Sequence, residues 1–218
     1  MFQGHSFPKS VIMQAIYFKF RFGLSYREIE ELLAIRGVRV DHATIQRWVF
    51  KFSPLLEDNF RKRKRSVGKR WRMDETYIKV KGQWRYLYRA VDKEGNTVDF
   101  LLTRRRQRMS AQSFLIRAIE NNGRPFLINI DKSGSNKGAI KVYKKRAYTN
   151  IQIRQCKYLN NIVEQDHRFV KKRVRQGYRD FESARRSIAG IEVVHMIKKG
   201  QMDSKCSSVY KSFCSLAA

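Results

Sequence analysis

The stretch WRMDETYIKVKGQWRYLYRAVDKEGNTVDFLLT, residues 71–103, decides the fold. Apolar and aromatic residues come in runs of strand length broken by turn formers: Trp71 to Val80, a turn at Lys81-Gly82, Trp84 to Val91, a turn at Asp92-Lys93-Glu94-Gly95, then Thr97 to Thr103. Connections this short join antiparallel neighbours, so the segment reads as a meander. Downstream the pattern alternates. Ser110 to Asn121 places Phe114, Leu115, Ala118 and Ile119 at helical spacing, Gly123-Arg124-Pro125 stops it, and Phe126 to Ile130 is a short buried strand. A helix after Asn136, a strand near Ile151 and a long helix from about Asn160 follow. This order predicts an α/β fold, a mixed sheet flanked by helices.

Upstream of the meander the period is helical. From Ser10 to about Phe22, Val11, Ile12, Ala15, Ile16 and Phe18 recur at helical spacing, closed by Gly23. Ser25 and Glu28 have the spacing of a capping box ahead of Ile29, Leu32 and Leu33, in a second helix ending near Gly37. Asp41 is the expected N-cap of a third helix, from about His42 to Phe52, with Ile45, Val49 and Phe52 on one face and Pro54 ending the unit. Three short helices with such turns suggest a helix-turn-helix, whose last helix enters the major groove. There Gln pairs with adenine and Arg with guanine, making Thr44, Gln46 and Arg47 the candidate base readers. The alternative is a small helical bundle in which they are ordinary exposed residues.

Charge favours the first reading. The chain carries 47 Lys+Arg against 19 Asp+Glu, a formal charge of +28, and a field of that size attracts polyanions, nucleic acid foremost. Arg61 to Arg72 holds eight basic residues in twelve. It reads as part of a basic linker, residues 57–70, with Lys62, Arg63, Lys64 and Arg65 against phosphates. A merely solvated linker is the alternative. No run of about 18 apolar residues and no signal-peptide order is present, so a cytoplasmic protein without membrane contact is expected. Cys156, Cys206 and Cys214 form neither a CxxC nor a zinc-ligand spacing and read as reduced thiols.

Three carboxylates stand where carboxylates are costly or exposed to chemistry. Asp74 lies inside the first strand among Trp71, Met73, Tyr77, Ile78 and Val80. A buried charge there must be protonated, paired with a cation or bound to metal; an arginine partner is the alternative. Asp131 ends the apolar strand Phe126 to Ile130, where α/β sheets favour ligands, although a turn aspartate bonding its own backbone fits as well. Glu164 opens the long helix, and its face continues with Arg168, Lys171 and Arg175; a surface Glu-to-Arg pair is the alternative. Together the three acids can hold two divalent ions, Mg²⁺ or Mn²⁺, for an in-line displacement at phosphorus. Glu75 and Asp166 turn away from this set by strand and helix geometry, and His167 reads as a packed histidine beside it.

Several blocks resemble one family. Gly23-Leu24-Ser25-Tyr26-Arg27-Glu28-Ile29-Glu30 and Val40-Asp41-His42-Ala43-Thr44-Ile45-Gln46-Arg47-Trp48-Val49 are similar to the helix-turn-helix of bacterial transposases in the insertion sequence six family. Met73-Asp74-Glu75-Thr76-Tyr77-Ile78-Lys79-Val80-Lys81-Gly82, Tyr86-Leu87-Tyr88-Arg89-Ala90-Val91-Asp92, Ile128-Asn129-Ile130-Asp131-Lys132 and Lys157-Tyr158-Leu159-Asn160-Asn161-Ile162-Val163-Glu164-Gln165-Asp166-His167 resemble its DDE blocks. The resemblance runs from about Phe7 to Gln201. It implies a helix-turn-helix domain over 1–56, the linker over 57–70, an RNase H-like DDE catalytic core over 71–201 and a divergent tail over 202–218. It also implies Asp74, Asp131 and Glu164 as the successive acids. The implied reaction is hydrolysis at the ends of an element, then attack of the freed 3′-hydroxyl on target DNA. Implied partners are double-stranded DNA, as terminal inverted repeats and target, and further copies of the chain on that DNA, near the bacterial nucleoid. Lys157, Arg168, Lys171 and Arg175 become candidate DNA contacts. Two departures stand out: 33 positions separate Asp131 from Glu164, fewer than the family leads one to expect, and the tail from Met202 lacks the family's ending. A catalytically impaired copy, or a helix-turn-helix regulator, is therefore the alternative.

Overall fold

The computed structural model describes the chain except residues 1–3, 5, 133, 175–176 and 218. By internal contacts it divides into two compact units, Met1–Arg65 with Val170–Ala218, and Ser66–Phe169.

The second unit is built on the meander. Strands β1 (Arg70–Val80), β2 (Gln83–Asp92) and β3 (Thr97–Thr103) pair antiparallel, and Lys81-Gly82 forms the two-residue hairpin with both residues at positive φ, 49° and 74°. Such a turn matches the twist of its flanking strands, and glycine adopts it without steric cost. Helix α4 (Arg108–Asn122), strand β4 (Leu127–Ile130), helix α5 (Gly134–Arg146) and strand β5 (Gln152–Gln155) follow. β4 pairs parallel to β1, and β5 parallel to β4, giving the order β3-β2-β1-β4-β5. This is the expected mixed sheet flanked by helices. Trp71, Met73, Tyr88, Ala90 and Ile128 pack from one sheet face against Ala111, Phe114, Leu115, Ala139 and Ile140 of α4 and α5. A 3₁₀ turn (Tyr158–Asn160) then leads into helix α6 (Asn161–Arg173), within which the two units are divided.

The first unit is helical: α1 (Lys9–Phe22), α2 (Tyr26–Ile35), α3 (His42–Lys62), α7 (Phe181–Lys198) and α8 (Val209–Cys214). Ser25 and Glu28 form the capping box in both directions, and the Asp41 side chain accepts from the Thr44 N–H, as the sequence reading required. Helix α7 went unread in the sequence. It is buried on nearly all sides, so it shows no polar face to set off an apolar stripe. At Gly190 it lies so close to Phe20 of α1 that an added Cβ would fall 2.1 Å from the ring.

Two expectations are corrected. The third helix does not stop near Phe52; it runs through Pro54 to Lys62. Proline removes the N–H that would have reached the Phe50 carbonyl. That carbonyl instead accepts a 2.8 Å hydrogen bond from Arg186 of α7, whose guanidinium also lies over the Phe50 ring and is steadied by Glu182. Nor are residues 57–70 a free linker. Their first part is helix, Lys64 bridges to Met202, and the Arg65 N–H donates to the Gln201 carbonyl. Arg63 donates to the carbonyls of Asp203 and Ser215 and to the Ser215 hydroxyl, so this candidate phosphate contact is already engaged by the chain itself. The tail is correspondingly ordered, with Phe213 and Leu216 buried.

Candidate active site

Asp74 sits mid-strand in β1 on the face opposite the Trp71–Met73 core, its side chain 15% exposed. β1 and β4 pair in register as far as Arg72 and Asn129, and two residues further on Asp74 and Asp131 come level. Neighbouring strands are about 4.8 Å apart, so the end of β4 brings Asp131 beside Asp74. Glu164 enters from the first turn of α6. Burial pushes the Asp74 carboxyl up to about 7, and the negative charges of Glu75, Asp131 and Glu164 push the same way. The strand, the strand end and the helix start thus deliver three acids that feel one another.

What holds Glu164 in place is a set of buried polar contacts. Asn129 of β4 donates to the Cys156 carbonyl at 2.9 Å and to Asn160 Oδ1 at 2.7 Å, while Asn160 Nδ2 reaches the Met73 carbonyl at 3.4 Å. The entry to α6 is thereby tied to β4 and to the residue before Asp74. One turn later, Asp166 meets Arg89 at 2.7 Å; Arg89 is fully buried on β2, directly across the ladder from Asp74. His167 is also buried, its Nδ1 3.8 Å from Asp74 Oδ2. A buried pair such as Arg89–Asp166 is costly to break, about 3 to 5 kcal/mol, and fixes the helix against the strand. Glu75 points to the other face, as strand alternation requires. It pairs with Arg106 and accepts from Asn136 Nδ2 at 2.9 Å.

Asn129, Asn160, Arg89 and Arg106 were not singled out in the sequence. Asn129 carried a usable signal, a polar residue inside an otherwise apolar strand, whereas Arg89 shares its strand with Arg85 and stands out less. Asn160 and Arg106 lie outside strands and carried none.

The acids offer only hard oxygen ligands, the set that divalent cations such as Mg²⁺ prefer, and a cation among them offsets the mutual repulsion and desolvation that raise Asp74. The residues present therefore fit a divalent ion. Among the described residues, ligand atoms all within 4.8 Å of one another belong to Glu30, Asp41 and His42 in the helical unit, not to these three acids. There His42 Nδ1 is 3.0 Å from Glu30 and 3.1 Å from Asp41, polar contacts at the start of α3 that account for the cluster.

Of the candidate nucleic-acid contacts, Gln46 and Arg47 are exposed on α3, Thr44 is half-buried, and Arg47 donates to Thr44 Oγ1 at 2.8 Å. Lys62 and Arg65 are exposed and Lys64 is half-buried. Lys157, Arg168 and Lys171 are exposed, the last two on the face of α6 that starts with Glu164. Arg175 lies outside the described residues.

Several known proteins are similar to this chain. A family model described as a DDE domain matches residues 68–201, and one described as the transposase IS66 family matches residues 4–124. The transposase for insertion sequence element IS257 in transposon Tn4003 of Staphylococcus aureus is 40% identical over 202 residues, spanning 91% of this chain and 88% of the relative. The transposase for the insertion sequence-like element IS431mec of S. aureus strain N315 is similar to the same extent, 40% over 202 residues with the same shares. Among solved structures, the HTLV-2 integrase catalytic core domain in complex with magnesium aligns with a TM-score of 0.41 and 19% identity, covering 49% of this chain and 70% of that one. The catalytic core domain of BIV integrase aligns with a TM-score of 0.46 and 16% identity, covering 68% and 95%.

Proposed function

The chain belongs to the DDE-domain transposases of insertion-sequence elements, and on that premise we propose that Asp74, Asp131 and Glu164 are its catalytic acids. Its function is DNA transposition. In this reading it cleaves at the ends of its element and joins the freed 3′-hydroxyl to target DNA. We assign it to the insertion sequence six family on the motif blocks that resemble it; the DDE-domain match, residues 68–201, covers all three acids. The carrying observation is Asp74: a carboxylate in the middle of a strand, level with Asp131 and within electrostatic reach of Glu164.

The three acids would hold divalent cations, Mg²⁺ or Mn²⁺ and two in number; when bound, these supply activation of the attacking oxygen and stabilisation of the leaving one. The chain's own residues do the positioning. Asn129 and Asn160 fix the start of α6, Arg89 and Asp166 fix its second turn, and His167 packs beside Asp74, so that the Glu164 carboxylate approaches Asp74 from a defined direction. Cleavage by water and attack by the 3′-hydroxyl then need no covalent link to the protein. The substrates are the element's terminal inverted repeats and target duplex, read by Thr44, Gln46 and Arg47 and held along their phosphates by Lys62, Lys64, Arg65, Lys157, Arg168 and Lys171. Several copies act together on DNA in the bacterial cytoplasm. No helix among the described residues is long and apolar enough to cross a membrane.

The test is joining of end-sequence DNA to a target plasmid with Mg²⁺ or Mn²⁺. Asp74→Asn is expected to abolish joining while still binding DNA. Equal joining by Asp74→Asn would overturn the assignment, and DNA binding by the unmutated chain without metal-dependent cleavage would favour a regulator or an impaired copy.

A further inference from the structure

The β1–β2 hairpin carries an aromatic ladder that the acid site does not use. Tyr77 pairs across the strands with Tyr86, ring centroids 5.4 Å apart, and lies 6.3 Å from the Trp84 ring, both contacts edge-on. These rings are not core: Trp84 is 58% exposed and Tyr77 46%. Strand alternation puts them on the face of Glu75, beyond the packed Trp71, Met73 and Tyr88. Cations frame them. Lys79 lies over the Trp84 ring at 5.9 Å, and Arg106, the last of the run Arg104-Arg105-Arg106, pairs with Glu75 on the same face. Tyr77 is three residues, about 10 Å of strand, from Asp74 but on the opposite face of the sheet; the link to the acids is Arg106, which pairs with Glu75 on the ring face and lies within electrostatic reach of both Tyr77 and Asp131.

Exposed aromatic rings set among cations are what a single nucleic-acid strand requires: π faces on which bases stack, and positive charge along the backbone. Duplex DNA, with its bases already stacked, has no use for such rings. Resting on the strand-transfer reading above, we propose that Tyr77 and Trp84 form a stacking platform, on the sheet face opposite Asp74, for unpaired nucleotides of a DNA strand that continues from the acid site. The positive charge of Lys79 and Arg106 fits a polyanion, and Arg106, within reach of both Tyr77 and Asp131, connects the ring face to the end of β4. Tyr77 and Trp84 are thus positioning residues that hold an opened strand end.

The experiment uses the full chain without metal. Of its three tryptophans Trp48 and Trp71 are buried, so emission from the exposed Trp84 should be quenched as a short single-stranded oligonucleotide is titrated in. Anisotropy of a labelled oligonucleotide should show Trp84→Ala and Tyr77→Ala weakening single-strand binding about 5- to 150-fold each, with Trp84→Phe close to the parent and blunt duplex binding little changed. Unchanged single-strand affinity in both alanine variants overturns the platform, as does failure of the parent to bind single strands. A change in sedimentation instead of affinity also overturns it, assigning the rings to contacts between copies. Metal-dependent joining by the parent is scored separately. Joining with unaltered alanine variants removes the platform alone, whereas quenching without joining leaves the platform and removes strand transfer.

Discussion

At the scale of single residues, the chemistry rests on the cost of charging Asp74. Its folded pKa of about 7 stands above the 3.8 of a free aspartate, so the folded state holds this proton more tightly than the unfolded chain. The stability it contributes is therefore fully present below about pH 4 and is lost as pH rises through 7. The loss amounts to at most about 4 kcal/mol at about 1.4 kcal/mol per unit. Urea unfolding in chelator should show Asp74→Asn matching the parent near pH 4 and exceeding it in stability at pH 8, while added Mg²⁺ raises the parent selectively. Parallel pH profiles for the two proteins would remove the burial argument. Asp74 was legible because a carboxylate inside an apolar strand has few alternatives. Asn129 gave the same signal on β4, but its meaning depends on Asn160, which becomes its partner only through the fold. The Arg89–Asp166 pair spans 77 positions of sequence, and nothing local in either residue names the other.

At the scale of elements, strands and caps were legible and long-range repairs were not. The meander, its Lys81-Gly82 turn and the Ser25 capping box are local chemistry, fixed within a few residues. The continuation of α3 past Pro54 is not local, since it depends on a guanidinium from α7, 136 positions away. α7 itself was hidden because a helix buried all round has no apolar stripe. The repair makes a testable pair. Arg186→Ala leaves the Phe50 carbonyl without its charged donor and should cost about 1 to 3 kcal/mol in thermal or urea unfolding. Pro54→Ala restores the backbone N–H that an α-helix would offer that carbonyl, so in the Pro54→Ala background the same Arg186→Ala change should cost distinctly less. Additive losses in the double-mutant cycle would show that Arg186 acts through Glu182 or the Phe50 ring, not through the carbonyl.

At the scale of the whole molecule, the +28 charge was visible at once, but its distribution was not. The basic run at 61–65 reads in sequence as a uniform track for phosphates. In the fold Arg63 is turned to the carbonyls of Asp203 and Ser215, and Arg173 of α6 is likewise turned to the Arg21 carbonyl. Arg168 and Lys171 remain exposed on the α6 face below Glu164. Equal formal charges therefore have unequal roles, and salt dependence separates them. Each phosphate contact releases counterions, so the slope of log affinity against log salt falls by roughly one for each contact removed. Duplex binding measured by anisotropy between about 50 and 200 mM salt should lose about one from that slope in Arg168→Ala and again in Lys171→Ala, uniformly across sequences. Arg63→Ala should leave the slope unchanged and lower the melting temperature instead, because its guanidinium ties the C-terminal segment to the end of α3. A slope unmoved by Arg168→Ala and Lys171→Ala would mean that the charged face of α6 is solvated and that DNA is held elsewhere. A slope reduced by Arg63→Ala would mean that the C-terminal segment releases this arginine when DNA binds.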